Sequence, residues 1–105
     1  ALVLSGLPTD RFVFEGCLPV KPGARRKRLE TFKQEERTVV LYESPHRLLK
    51  TLSDIRDILG EVHISCAREL TKTFEELKRG SVSSVLEHFT QHPPRGEFVI
   101  VISHE

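Results

Sequence analysis

Uninterrupted apolar runs alternate with amphipathic stretches along this chain. Val39 to Tyr42 and the later segment EFVIVIS are apolar without alternation, which is typical of strands covered on both faces of a sheet. VHISCAREL predicts a third such strand, and TKTFEELKRG a loop carrying a short strand near Leu77. RFVFEGCLP alternates instead, which predicts a first strand with Phe12, Phe14 and Leu18 on one face.

Three amphipathic stretches predict helices between these strands. Ser44 is a good N-cap and Pro45 suits the first helical position, with an apolar stripe that ends at Gly60. A second helix is predicted from about Ala24, and a third from a Ser81 cap. Strands that alternate with helices predict an α/β fold, with a mixed, roughly five-stranded sheet and the helices packed on it.

Composition limits the class of protein but not its partner. The chain has 105 residues, of which 38% are hydrophobic and 30% charged, which suits one globular domain rather than a disordered segment. A net charge of +1 indicates no particular partner. No membrane-spanning stretch or signal peptide is visible, so a cytoplasmic protein is expected. Cys17 and Cys66 lie in strand-like runs without metal-ligand spacing, which predicts two buried free thiols.

The first residues predict a division of the chain. Residues 1–9 read as the tail of an apolar helix or linker, which is too short to bury itself and suggests a missing N-terminal domain. Residues 10–105 are then the domain described by the strand and helix pattern.

Polar residues collect where two of the predicted strands end. Glu43, His46 and Arg47 follow the strand of Val39, where backbone amides and cationic side chains could hold an anionic group. The alternative is a capped helix with solvated charges, and the pattern alone does not choose between them. A second polar group follows the next strand: Arg68, Glu69, Thr71 and Lys72. If the strands of Val39 and Ile64 are parallel neighbours, both groups form one site at one sheet edge.

Other candidate chemistry is weaker. The basic run Lys21, Arg25, Arg26, Lys27 and Arg28 could contact phosphates, although a solvated helix face is the more usual explanation. No aromatic residues interleave with it, the histidines lack metal-ligand spacing, and there is no Gly-rich phosphate loop. A self-contained enzyme is therefore hard to build from these residues.

Several longer segments carry a resemblance. SGLPTDRFVFEGCLP, RRKRLE, RTVVLYESPHRLLKTL, ARELTKTFEEL, RGSVSSVLEHF and GEFVIVI follow one another in this order. Together they resemble the C-terminal half of the tetrapyrrole methylase family, in its branch that modifies ribosomal RNA. The similarity covers nearly the whole chain, and Cys17 departs from it by standing where an aromatic residue is expected.

The resemblance implies a two-domain S-adenosylmethionine-dependent enzyme that methylates the ribose 2′-hydroxyl of a cytidine in 16S rRNA of the small ribosomal subunit. The cofactor is expected in a cleft between the domains. The Gly-Pro-Gly-Asp-type loop of the N-terminal domain is absent here, so the chain alone is expected to be inactive. The implied cofactor contacts are Ser5, Gly6, Tyr42, Glu43, Ser44, Gly96 and Glu97.

Charge and placement then suggest a set of RNA contacts, which comprises Arg25, Arg26, Arg28, His46, Arg47, Arg68 and Lys72. Glu43 and Glu69 are both candidates for the base that removes the hydroxyl proton. Two other classes stay open, a corrin or porphyrin methyltransferase and a non-catalytic RNA-binding or dimerisation module. A homodimer is also left open.

Overall fold

The computed structural model describes residues 12–68 and 76–103 of the chain. Their strands are β1 (Phe12–Cys17), β2 (Thr38–Glu43), β3 (His63–Arg68), β4 (Glu76–Ser81) and β5 (Phe98–Ser103). Their helices are α1 (Pro22–Glu30), which runs into a 3-10 turn at Thr31–Gln34, α2 (Leu48–Leu59) and α3 (Val82–Gln91).

The five strands form one mixed sheet in the order β1-β2-β5-β3-β4, as the pattern predicted. β1 and β2 are parallel, and the remaining neighbours are antiparallel. The strands of Val39 and Ile64 are not neighbours, which was the condition considered for a shared site, because β5 lies between them. Since both strands run antiparallel to β5, β2 and β3 still point the same way and end at the same edge of the sheet.

The three helices pack on one face of this sheet. Their apolar stripes join alternate strand residues in a single buried cluster, which includes Leu29, Leu52 and Phe89 from the helices and Leu41 and Ile100 from the sheet. The opposite face carries a smaller buried cluster, which comprises Val40, Val99 and Val101. The sheet is therefore apolar on both sides, as the unbroken strand patterns indicated.

A bulge in β1 changes which side its residues face. The register with β2 shifts between Phe14 and Gly16, and Gly16 has a φ of 77°, a conformation that side chains with a Cβ rarely adopt. Leu18 consequently joins the helix-side core, whereas Phe12 and Phe14 are exposed on the other face. The prediction that all three share one face was wrong, because a simple alternation cannot anticipate the inserted residue.

Two of the four predicted helix termini match the structure, and a third lies two residues away. Ser81 caps α3, its Oγ accepting the Ser84 N–H at 3.3 Å, and α2 ends at Gly60. α1 begins at Pro22, two residues before the predicted start. α2 begins at Leu48 rather than at Pro45, because residues 45–47 form a turn, and the predicted cap at Ser44 was wrong.

The two cysteines differ in environment. Cys66 is buried as predicted, but Cys17 is exposed at the end of the outer strand β1, so the prediction for Cys17 was wrong. Residues 1–9 lie outside the described residues, and the division at residue 10 stays a prediction. Within the described ranges no helix has the length and apolar character needed to cross a bilayer.

Candidate functional site

The predicted site residues that the structure describes meet at one edge of the sheet. Glu43 at the end of β2 lies opposite Phe98, and Phe98 lies opposite Arg68 at the end of β3. With strands spaced about 4.8 Å apart, the Glu43 and Arg68 backbones are about 10 Å apart. Gly96 and Glu97 enter β5 at this edge. We call it the polar edge, and it comprises Tyr42, Glu43, Ser44, His46, Arg47, Arg68, Gly96 and Glu97.

A buried carboxylate organises the first turn of the polar edge. Glu43 is 4% exposed, and its Oε2 accepts a hydrogen bond from Thr51 Oγ1 at 2.6 Å. Its Oε1 accepts from the Ser44 N–H at 2.8 Å and from Arg47 Nε at 3.1 Å. These partners come from the strand end, the turn and α2, so one side chain ties together all three segments.

This arrangement changes the role expected for Glu43. A general base needs an oxygen free to accept a substrate proton, whereas both Glu43 oxygens are already engaged by groups of the protein itself. The buried carboxylate is instead suited to fixing the geometry of residues 44–47. Of the two candidate bases, Glu69 lies outside the described residues.

Ser44 is the residue of this turn with unmet hydrogen-bonding capacity. Its Oγ is buried and has no hydrogen-bond partner within the part of the chain that the structure describes. Buried hydroxyls are seldom left this way, because an unmade hydrogen bond costs free energy. His46 is exposed beside it, and the Arg47 side chain is 35% exposed although its Nε is bonded to Glu43. The turn thus presents a hydroxyl and two groups able to carry positive charge.

Tyr42 faces away from this carboxylate. It pairs with Cys17 and Val99, on the sheet face opposite the helices, and 45% of its surface is exposed. Its ring meets that of Phe14 edge to face, with centroids 5.2 Å apart. Tyr42 and Glu43 therefore lie at the same edge but on opposite faces.

The basic helix α1 supplies a structural ion pair as well as exposed charges. Arg25 is 4% exposed, and its Nε contacts Asp54 Oδ2 of α2 at 2.8 Å. Arg26 binds the other oxygen of Asp54 at 2.6 Å but keeps 45% of its side chain exposed. Arg28, equally exposed, forms two 2.6 Å hydrogen bonds to Glu15. Arg25 is thus enclosed, while Arg26 and Arg28 reach the surface.

Two residues that matter for these contacts were missed in the sequence. Thr51 and Asp54 are polar but buried, and they fall among Leu48, Leu52 and Ile55 on the packed side of α2. A polar residue inside an apolar helical stripe is a signal that it has a buried partner. The nearby depression of about 430 Å³ between α1 and α2 does not include the polar edge; it is lined by Pro22, Arg25, Leu49, Lys50, Ser53 and Asp54.

The remaining predicted site residues lie outside the described part of the chain. They are Ser5 and Gly6 among the cofactor contacts, Glu69 as a base and Lys72 as an RNA contact.

Comparisons with known proteins agree on one kind of relative. The chain is 51% identical over 104 residues to "Ribosomal RNA small subunit methyltransferase I" of Synechocystis, covering 98% of the chain and 37% of that protein. It is 45% identical over 103 residues to the protein of the same name from Thermotoga maritima, covering 98% of the chain and 46% of that protein. The chain thus spans less than half the length of each of these two relatives. No model of a known protein family matches it.

Solved structures show the same fold at low sequence identity. The methyltransferase CobJ matches with a TM-score of 0.67 and 18% identity, over 99% of this chain and 46% of CobJ. The cobalt precorrin-4 methyltransferase CbiF matches with a TM-score of 0.62 and 15% identity, over 92% of this chain and 42% of CbiF. The mixed sheet with its three helices is therefore the α/β fold of a part of these tetrapyrrole methyltransferases.

Proposed function

We propose that this chain forms one wall of a methyltransferase site. The proposal rests on its similarity, over nearly its whole length, to proteins named ribosomal RNA small subunit methyltransferase I. The full-length protein uses S-adenosylmethionine to methylate the ribose 2′-hydroxyl of a cytidine in 16S rRNA of the small subunit. Because the chain spans only 37% of the Synechocystis relative, we expect it to be inactive alone, as the C-terminal domain of the enzyme.

The observation that carries this proposal is the polar edge. The resemblance implies seven cofactor contacts, and five of them come from two stretches far apart in sequence. These five lie at adjacent strand ends: Tyr42, Glu43, Ser44, Gly96 and Glu97. Edges formed by strand ends are where open α/β sheets bind ligands. A scatter of these residues over different surfaces would have argued against a shared site.

The chemistry of this edge fits a polar ligand such as S-adenosylmethionine. The buried Ser44 hydroxyl has no partner among the described residues and can bond a carboxylate, hydroxyl or amino group of a ligand. Gly96, with a φ of 72°, lets the backbone approach a ligand closely. Ser44 and the backbone of residues 96 and 97 would hold the group, and Glu43 would keep the turn in place.

Methyl transfer requires mainly correct positioning. When bound, S-adenosylmethionine supplies an electrophilic methyl group on a sulfonium. The residues of this chain then orient the acceptor ribose, and alignment of the two reacting atoms supplies much of the rate. Glu43 acts as a positioning residue because its oxygens are engaged, which leaves Glu69 as this chain's candidate for proton removal.

The RNA backbone would be held by cationic groups around the same edge. His46, Arg47 and Arg68 lie at the polar edge, and Arg26 and Arg28 offer exposed guanidinium groups on α1. Arg25 is left out of this surface because it is enclosed with Asp54. Lys72 stays a proposed contact. A tetrapyrrole substrate is less well supported, since CobJ and CbiF share the fold at 18% and 15% identity.

A methyl-transfer assay on the full-length protein tests this function. Methyl-labelled S-adenosylmethionine is offered with unmethylated 30S subunits, or with a corrinoid, and the labelled product is digested to nucleosides. We expect label on a 2′-O-methylated cytidine of 16S rRNA. Label on the corrinoid, or on neither acceptor, would contradict the proposal.

Two buried serines provide a matched test of the cofactor site. Ser44 and Ser65 both carry a buried Oγ without a partner in the described ranges, but Ser65 is in mid-strand, three residues before the end of β3. We expect Ser44→Ala to raise the Kd for S-adenosylmethionine about three- to tenfold, the value of one hydrogen bond. Ser65→Ala should leave the Kd unchanged. Equal effects would remove Ser44 from the cofactor site.

A further inference from the structure

Three aromatic rings stand exposed on the sheet face opposite the helices. Phe12, Phe14 and Tyr42 are 45%, 55% and 45% exposed, and they lie on the neighbouring strands β1 and β2. We call this set the aromatic face. Large aromatic side chains exposed together mark interaction surfaces more often than isolated apolar residues do.

The aromatic face continues an apolar layer that is covered elsewhere. Phe14 pairs with Val40, and Tyr42 pairs with Val99, and both valines are at most 5% exposed. Val101 in the same cluster is 1% exposed. The layer is thus covered at its centre and uncovered toward the outer strand, which is the geometry of a surface that a further element completes.

The chemistry of this face favours a protein partner over RNA. β1 and β2 contribute no charged side chain to it, since the other residues paired across this face are Cys17, Thr38 and Val40. RNA binding relies on cations that neutralise phosphates, whereas apolar aromatic surfaces form the centres of protein interfaces.

We propose that the aromatic face is the surface on which the remainder of the full-length protein docks. This inference rests on the proposed function, in which the chain is one part of a larger enzyme. The matched segment leaves more than half of each relative outside it, at 37% and 46% coverage. Tyr42 also adjoins Glu43 and Ser44, so an element docked on the aromatic face borders the polar edge and can form its second wall.

Cys17 provides a native probe of this surface. It is exposed and pairs with Tyr42, while Cys66 is fully buried and burial raises the pKa of its thiol. N-ethylmaleimide should therefore alkylate Cys17 in the folded 105-residue chain and spare Cys66, whose reaction would report unfolding. A cysteine introduced by Glu87→Cys, exposed on α3, serves as the reference thiol.

The experiment compares the two alkylation rates by peptide mass spectrometry, in this chain and in the full-length protein without cofactor or RNA. In the 105-residue chain we expect Cys17 and the reference thiol to be alkylated at similar rates. In the full-length protein we expect the alkylation rate of Cys17 to be at least about tenfold lower. Phe14→Ser should restore part of that reactivity, by about threefold or more. Val20→Ser, at an exposed apolar residue outside β1, should not.

Each other outcome would overturn the assignment. Unchanged Cys17 reactivity in the full-length protein means that the face stays open. Protection that grows with protein concentration identifies a second copy as the occupant, and protection only after RNA is added identifies RNA. The readout needs no methyl transfer, so a protected Cys17 in a protein that fails to methylate 16S rRNA would refute the proposed function alone.

Discussion

Thr51 Oγ1 donates a 2.6 Å hydrogen bond to Glu43 Oε2, and this bond joins the end of β2 to the first turn of α2. Thr51 is fully buried and Glu43 is 4% exposed. A carboxylate is tolerated at a buried position only when its oxygens accept hydrogen bonds. The Thr51 hydroxyl therefore helps to offset the cost of burying Glu43.

Replacing Thr51 should therefore affect both stability and ligand binding. Thr51→Val keeps the side-chain shape but leaves Glu43 Oε2 without its donor, which we expect to cost about 1.5–3 kcal/mol in the free energy of unfolding. Chemical denaturation of the chain measures this. Thr51→Ser retains the hydroxyl and should lose less. In the full-length protein, Thr51→Val should also weaken S-adenosylmethionine binding, and an unchanged affinity would show that the turn does not need this bond.

The ion pair between Arg25 and Asp54 gives a second stability prediction. The Arg25 and Asp54 side chains are 5% and 12% exposed, so neither charge is well solvated. Asp54→Asn leaves the buried guanidinium without its counter-charge, and we expect a loss of about 2–3 kcal/mol. Arg25→Met should cost less, because Arg26 still pairs with Asp54.

The control for this prediction is an exposed ion pair between the last residue of α1 and the 3-10 turn that follows it. Glu30 and Lys33 are 54% and 48% exposed, with a separation of 3.0 Å. Glu30→Gln should change the free energy of unfolding by less than about 0.5 kcal/mol. Similar costs for Asp54→Asn and Glu30→Gln would mean that burial does not set the value of the Arg25 contact.

Local patterns were sufficient to predict the elements but not the neighbours in the sheet. Ser81 caps α3 and Gly60 ends α2 through contacts with residues only a few positions away in the chain. Such a cap and such a helix end can therefore be predicted from the local sequence. The unbroken apolar pattern of a strand indicates that both of its faces are covered, but it does not indicate which strands lie beside it in the sheet. β5 is last in the chain and yet lies between β2 and β3, a choice made by tertiary packing.

The site was predictable to the same degree. The polar residues after Leu41 and Ala67 lie at one edge, as expected, because both strands run antiparallel to β5. The role of Glu43 was not predictable, since it depends on Thr51 in the next helix. The exposure of Tyr42 likewise depends on its place beside β1, the outer strand of the sheet.

Glu61 should make the stability of the chain sensitive to acid. Its carboxylate accepts hydrogen bonds from the Ser83 hydroxyl and, at 3.1 Å, from the Ser83 N–H in the first turn of α3. These bonds lower the pKa of Glu61 below its ordinary value of 4.5. A lowered folded-state pKa contributes stability that is present above the unfolded value and is lost as the pH falls through the folded value.

The test is denaturation as a function of pH. Glu61→Gln should be less stable than the native chain at pH 7, and the difference should shrink as the pH falls from about 5 toward 3. Ser83→Ala removes the side-chain donor and should reduce the same dependence. A difference between Glu61→Gln and the native chain that stays constant over this range would show that the Glu61 charge does not stabilise α3.

The polar edge gives the last prediction, which concerns RNA binding by the full-length protein. Arg68 ends β3, and Arg47 lies in the turn that follows the end of β2, so both come from the strands that flank β5. If both contact phosphates, Arg47→Glu with Arg68→Glu removes two counterion-releasing contacts. RNA affinity should then fall at low salt, and the slope of log K against log salt should become shallower by about two.

A control of equal charge separates this from a general electrostatic effect. Lys33→Glu with Arg37→Glu changes the net charge by the same amount, but Lys33 follows α1 and Arg37 precedes β2, at the opposite end of that strand. Long-range repulsion alone would weaken RNA binding similarly in both double variants and is largely screened at physiological salt. Direct contact predicts that only the Arg47 and Arg68 variant loses salt-dependent binding. Identical salt titrations for the two variants would therefore place the RNA surface away from the polar edge.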